Sequence, residues 1–112
     1  MVKEMVLLKK KEGVSREEFL RKYEEELVPL ILKLCPSIKK YARNYVRTPL
    51  TAPDPNALPF DCITEVWYED MEAFKAFAQL AMSEKGNVIF DLEGTFIDTS
   101  QTVAVLVKET GS

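Results

Sequence analysis

Met5-Val6-Leu7-Leu8, near the start of the chain, and Val103-Ala104-Val105-Leu106-Val107, near its end, decide the fold between them. Successive side chains of a strand point to opposite faces. The first stretch therefore sets Val6 and Leu8 against Met5 and Leu7, and the second sets Val103, Val105 and Val107 against Ala104 and Leu106. The strands they belong to, read as Val2 to Lys10 and Gln101 to Lys108, are apolar on both sides. A sheet containing them needs two coverings, because a contiguous exposed apolar face is a liability for a soluble protein.

Outward from the first strand, Ser15 with Glu18 three residues on forms a capping box, and Val14 with Phe19 takes the positions of a hydrophobic staple. The spacing predicts a helix over 15–34 whose buried stripe is Phe19, Tyr23, Leu27, Leu30, Ile31 and Leu34. Pro29 interrupts it, and a kink is expected because an interior proline costs ~3 kcal/mol in a regular helix. Glu24-Glu25-Glu26 reads as a solvated helix face. Ser37 to Arg47 alternates Tyr41, Arg43, Tyr45 and Arg47 against Ala42, Asn44 and Val46, a second strand whose inward set the alternation leaves open. Thr48 to Phe60 holds Pro49, Pro53, Pro55 and Pro59 and reads as a long loop, a binding or rim element. A third strand, Asp61 to Tyr68, carries Ile63, Glu65 and Trp67 on one face and Cys62, Thr64 and Val66 on the other. Asp70 caps a helix over 71–82 with Phe74, Phe77, Ala78 and Ala81 on one face, Gly86 is a stop, and a shorter helical piece covers 88–96.

The order βαββαβ is the ferredoxin-like arrangement, an α+β fold whose helices cover one face of a four-stranded antiparallel sheet. The second face is expected to be covered by a second copy, in a two-fold homodimer.

With 112 residues, the chain is expected to form one domain over 1–110. A hydrophobic content of 46% and a charged content of 29% suit a packed core. A net charge of -3 provides no footprint for a polyanion, so nucleic acid is not an expected partner. No run approaches the ~20 apolar residues of a membrane span, and no membrane role is expected. Histidine is absent, which removes Ser-His-Asp and Cys-His nucleophiles and His-bound metals. Cys35 and Cys62 lack CxxC spacing and read as reduced thiols in a cytoplasmic protein. Without phosphate-binding glycine motifs, neither cofactor nor metal is expected.

Four segments carry a family resemblance: Val6-Leu7-Leu8-Lys9 followed by Ser15-Arg16-Glu17-Glu18-Phe19; Val28-Pro29-Leu30; Asp61-Cys62-Ile63-Thr64-Glu65-Val66-Trp67-Tyr68; and Asp91-Leu92-Glu93-Gly94-Thr95-Phe96-Ile97-Asp98. In this order and spacing they resemble the EthD-like proteins of the dimeric α/β barrel superfamily, named for a component of ethyl tert-butyl ether degradation. Related barrels include polyketide cyclases, anthrone monooxygenases, decarboxylases and muconolactone-type isomerases. The resemblance implies a small aromatic, polyketide-like or lactone substrate held between helices and sheet. Many relatives carry a histidine two residues before the helical proline, where this chain has Leu27. A mechanism using that imidazole as base does not carry over.

The remaining polar groups supply the candidate chemistry. A tyrosine close to a cation would have its phenol pKa lowered toward proton-transfer range, and Tyr41, Tyr23 and Asn44 are the candidates for acid-base and oxygen-binding roles. Leu27, Arg43, Trp67 and Phe77 are the candidate substrate contacts, Trp67 as a stacking wall. Glu65 reads as a base or as a partner of Arg43 across the hairpin. The expected activity is cofactor-independent proton transfer on a small hydrophobic molecule, as a cyclase, decarboxylase or isomerase. The alternative is a catalytically silent module that binds a small ligand or assembles. An open cavity with inward tyrosine hydroxyls favours the first, and a cavity filled by Leu27, Tyr23 and Phe77 favours the second.

Overall fold

The structure, a computed structural model, describes residues 1–54 and 56–112. Its elements are β1 (Val2–Leu8), α1 (Arg16–Lys22), α2 (Val28–Leu34), β2 (Ile38–Tyr45), β3 (Cys62–Tyr68), α3 (Met71–Met82), α4 (Asn87–Glu93) and β4 (Val103–Val107). The four strands form an antiparallel sheet in the order β2-β3-β1-β4, the ferredoxin-like order. No helix is long and apolar enough to cross a membrane, among the described residues.

Capping sets the helix starts where the sequence placed them. The Glu18 N–H donates to Ser15 Oγ at 3.1 Å, and the Ala73 N–H donates to Asp70 Oδ1 at 2.8 Å. Between α1 and α2 the chain makes a π-helical turn, Tyr23–Leu27, in which the Val28 N–H reaches the Tyr23 carbonyl five residues back. The interruption expected at Pro29 takes the form of this turn, placed just before the proline. The wide turn accommodates Pro29 in the first turn of α2, where a missing N–H costs least. It also corrects the reading of the Glu24 to Glu26 run. One extra residue per turn holds Glu24 beside Tyr23 toward the sheet, while Glu25 and Glu26 stay exposed.

Register decides what each face carries. Lys3 stands between Trp67 and Val107, Met5 between Glu65 and Val105, and Leu7 between Ile63 and Val103. These residues, with Ala42 and Asn44 of β2, form the face away from the helices. Val103 and Val105 on it are half exposed. Two buried clusters lie on the helix side. One joins Leu8, Phe19, Tyr23, Leu27, Ile89 and Phe96, and the other joins Cys35, Val66 and Tyr68 with Phe74 and Phe77 against them.

The connection after β2 is fastened at its far end by the Asp61 N–H on the Leu8 carbonyl and by Lys9 Nζ on the Leu58 carbonyl, at 2.7 and 2.6 Å. It contributes no described residue to the helix-side cavity, against the expectation of a binding loop. Pro55, read as part of that loop, lies outside the described residues.

Candidate functional site

Where the two buried clusters meet, helices and sheet leave a cavity of about 180 Å³. Tyr41 reaches it from β2, Thr64 and Tyr68 from β3, Glu4 from β1, Tyr23 and Leu27 from the π turn, Phe77 from α3 and Glu93 from the last turn of α4. Phe90, about half exposed, and Ala104 of the edge strand stand at its open side. The hydroxyls form a chain. Tyr23 Oη shares hydrogen bonds with Thr64 Oγ1 at 2.7 Å and with Tyr41 Oη at 3.0 Å. Tyr68 Oη donates to Glu4 Oε1 at 3.1 Å.

Burial decides the protonation states. It pushes the phenols of Tyr23, Tyr41, Tyr45 and Tyr68 well above their ordinary range. The expectation of an activated tyrosine is therefore corrected: the buried rings are neutral hydrogen-bonding groups. The cation that was to activate them is engaged elsewhere. Arg43 Nε and Nη2 donate to the two carboxylate oxygens of Glu24 at 2.8 and 2.7 Å, and Nη1 donates to the Tyr41 carbonyl at 2.6 Å. That bidentate contact, helped by the Tyr45 hydroxyl at 2.6 Å, holds the Glu24 carboxyl below its ordinary range. Cys62, fully buried, has its thiol pushed up to about 11 by burial, which leaves it inert.

Glu93 is the group the sequence reading missed. Its carboxyl faces the cavity, and burial alone raises its pKa from the ordinary carboxyl value to about 7. A group titrating there suits a general acid or base. Burial raises Glu4 as well, opposed by the Tyr68 hydrogen bond. The signal was present in the spacing, since Glu93 follows the buried Ile89 by four residues and shares its helix face.

Of the residues singled out from sequence, Tyr23, Tyr41, Leu27 and Phe77 line this cavity. Leu27 and Phe77 form walls and leave space between them, so the cavity is open rather than filled. Asn44 and Trp67 do not belong to it. Asn44 Nδ2 donates to the Ile63 carbonyl and to Glu65 Oε2 on the far face, at 2.9 and 3.1 Å. Trp67 lies on that same face with Lys3 Nζ and Lys40 Nζ at 4.6 and 4.7 Å from its ring centroid. Glu65 pairs with Lys3 at 2.8 Å and not with Arg43. The alternation that separated the strand faces was correct, but Trp67 and Tyr41 fall on opposite ones. Among the described residues, no cluster of three or more His, Cys, Asp or Glu side chains is placed to hold a metal ion.

The profile of the EthD domain family matches residues 11–100. The chain belongs to the EthD family. No curated protein sequence matches this EthD chain. Among solved structures, a protein of Arabidopsis thaliana superposes with a TM-score of 0.69 at 17% identity, covering 100% of this chain and 98% of that one. An EthD family protein from Bacillus halodurans superposes with a TM-score of 0.67 at 14% identity, covering 98% of this chain and 100% of that one. A dimeric ferredoxin-like protein from Bacteroides fragilis superposes with a TM-score of 0.61 at 14% identity, over 96% and 95% of the two chains. At these identities the likeness concerns the EthD fold.

Proposed function

We propose that residues 1–110 form one small-molecule enzyme domain that moves a proton on a hydrophobic carbonyl or aromatic compound without a cofactor. The observation that carries this reading is the cavity itself, whose apolar walls bring Glu93 together with the hydroxyl chain of Tyr23, Tyr41 and Thr64, and burial there raises the Glu93 carboxyl to about 7. In the step we envisage, a C–H bond beside the substrate carbonyl breaks and its proton forms an O–H bond on the Glu93 carboxylate. The electron pair moves to the carbonyl oxygen, which accepts a hydrogen bond from the Tyr41 hydroxyl. In an isomerisation Glu93 then returns the proton to a second carbon; in a ring closure the enolate carbon instead bonds to a second carbonyl carbon of the substrate, whose C=O π pair becomes an alkoxide that takes the proton from Glu93. The volume suits about one ring, since a cavity near ~150 Å³ holds benzene, and the side at Phe90 and Ala104 lets substituents extend outward.

The apolar sheet face supports a homodimer, and two free, buried cysteines suit a reducing cytoplasm. The alternative, a silent binding module, draws on Leu27, which occupies with a hydrocarbon the position where many relatives have an imidazole.

The test is deuterium exchange from solvent into a panel of small aryl ketones and lactones, followed by proton NMR. Wild-type protein is expected to accelerate exchange of the protons beside the carbonyl, and Glu93→Gln to lose at least about 100-fold of that acceleration. Equal rates in wild type and variant overturn the proton-transfer role. Binding without exchange favours the silent module.

A further inference from the structure

The charge inventory of the cavity is one-sided. Its wall holds two carboxyls, Glu4 and Glu93, three tyrosine hydroxyls and Thr64, and no lysine or arginine. Three cations on neighbouring segments are engaged by other partners. Arg43, over the outer side of the cavity-lining Tyr41 at 4.9 Å from its ring centroid, has its charge paired with Glu24, Lys11 Nζ donates to the Gly94 carbonyl at 2.9 Å, and Lys22 Nζ donates to Thr95 Oγ1 at 3.1 Å. A carboxylate or phosphate ligand entering this space would leave water with no cation to meet and with acidic side chains beside it, a heavily disfavoured burial. A protonated amine meets the opposite conditions. It finds the carboxyls of Glu93 and Glu4 in a wall that also carries the aromatic rings of Phe77 and Phe90.

Taking the cavity as the substrate site, we infer that its ligand is an apolar carbonyl or aromatic compound of about one ring that also carries a basic nitrogen, an amine or nitrogen heterocycle bound as the cation with the Glu4 and Glu93 carboxyls as its counter-charges. The inference rests on the reading of the cavity under Proposed function and narrows its substrate class. The groups facing Glu93 across the cavity are Glu4 on β1, Tyr23 in the π turn, Tyr41 on β2 and Tyr68 on β3. The tyrosines stay neutral around neutral pH, so the site's charge there is set by the two carboxyls.

Calorimetric titration of the full chain with phenethylamine, phenylethanol and hydrocinnamate tests this, because the three probes are close in size and differ in charge. At about pH 8 the amine is expected to bind at least about tenfold tighter than the acid, a difference of about 1.4 kcal/mol, with the alcohol between them. Amine affinity is expected to fall by about tenfold between about pH 8 and about pH 6 as Glu93 takes up a proton, while affinity for the alcohol stays level. Glu93→Gln is expected to abolish that pH dependence. The wild-type series already decides the matter should the variant fold poorly. Alcohol or acid binding as tightly as the amine overturns the charge class and leaves the cavity reading standing. Failure of all three probes to bind overturns the cavity reading itself.

Discussion

Glu93 shows how a residue's role follows from what surrounds it. On a bare helix its carboxyl would titrate in the ordinary range, and in the wall of an apolar cavity burial holds it protonated up to about pH 7. Folding therefore favours the neutral form. The contribution of Glu93 to stability is full below the ordinary carboxyl value of 4.5 and is lost as pH rises through about 7. Glu24, held below its ordinary range by Arg43, has the opposite sign and contributes only above its folded value. Comparison with Glu93→Gln isolates the first effect. The melting temperature of wild type relative to the variant is expected to decline across that window, with the variant the more stable at about pH 8. A difference constant with pH would show that Glu93 ionises freely. Tyr23 was legible as a polar group on the apolar stripe of its helix, and Tyr41 as one member of an alternating strand. Glu93 was not, because the helical piece over 88–96 was read without assigning its buried face, and only the phase counted from Ile89 turns Glu93 inward.

The stretch from Ser15 to Leu34 carries the lesson at the scale of an element. Its start, its buried stripe and its end were visible in the capping box, the three-to-four spacing and Cys35-Pro36. The π turn was not, since no residue pattern marks a change from four-residue to five-residue hydrogen bonding. Pro29 was the only hint of an irregularity there. The turn is also what brings Glu24 within reach of Arg43 and Tyr45. Because Pro29 occupies the first turn of α2, Pro29→Ala is expected to change unfolding free energy by less than about 1 kcal/mol in urea titration. Relief of an interior proline would instead stabilise by ~3 kcal/mol, and a gain of that size would show that the helix is strained there. Strand β2 posed a different problem. Its alternation was plain, but only its pairing with β3 turns Tyr41 and Arg43 inward and Asn44 outward.

For the molecule as a whole, the layer on one side of the sheet is complete and the other is bare. Met5, Leu7, Ile63, Val103, Val105 and Val107 form an apolar field bordered by Lys3, Glu65 and Asn44, and no described helix packs over it. This much was legible from β1 and β4, whose residues are apolar at both parities. A second copy meeting the same field across a two-fold axis is the closed solution. Light scattering is expected to give a dimer mass at micromolar concentration, and Val105→Glu to give a monomer of unchanged circular dichroism. A dimer that survives the substitution would place the contact elsewhere. Trp67, the only indole in the sequence, stands on this bare face between the ammonium groups of Lys3 and Lys40, with the sheet separating it from the cavity. Its ultraviolet emission is thus an optical gauge of self-association, and a small compound lodging on the helix side will leave that glow nearly unaltered.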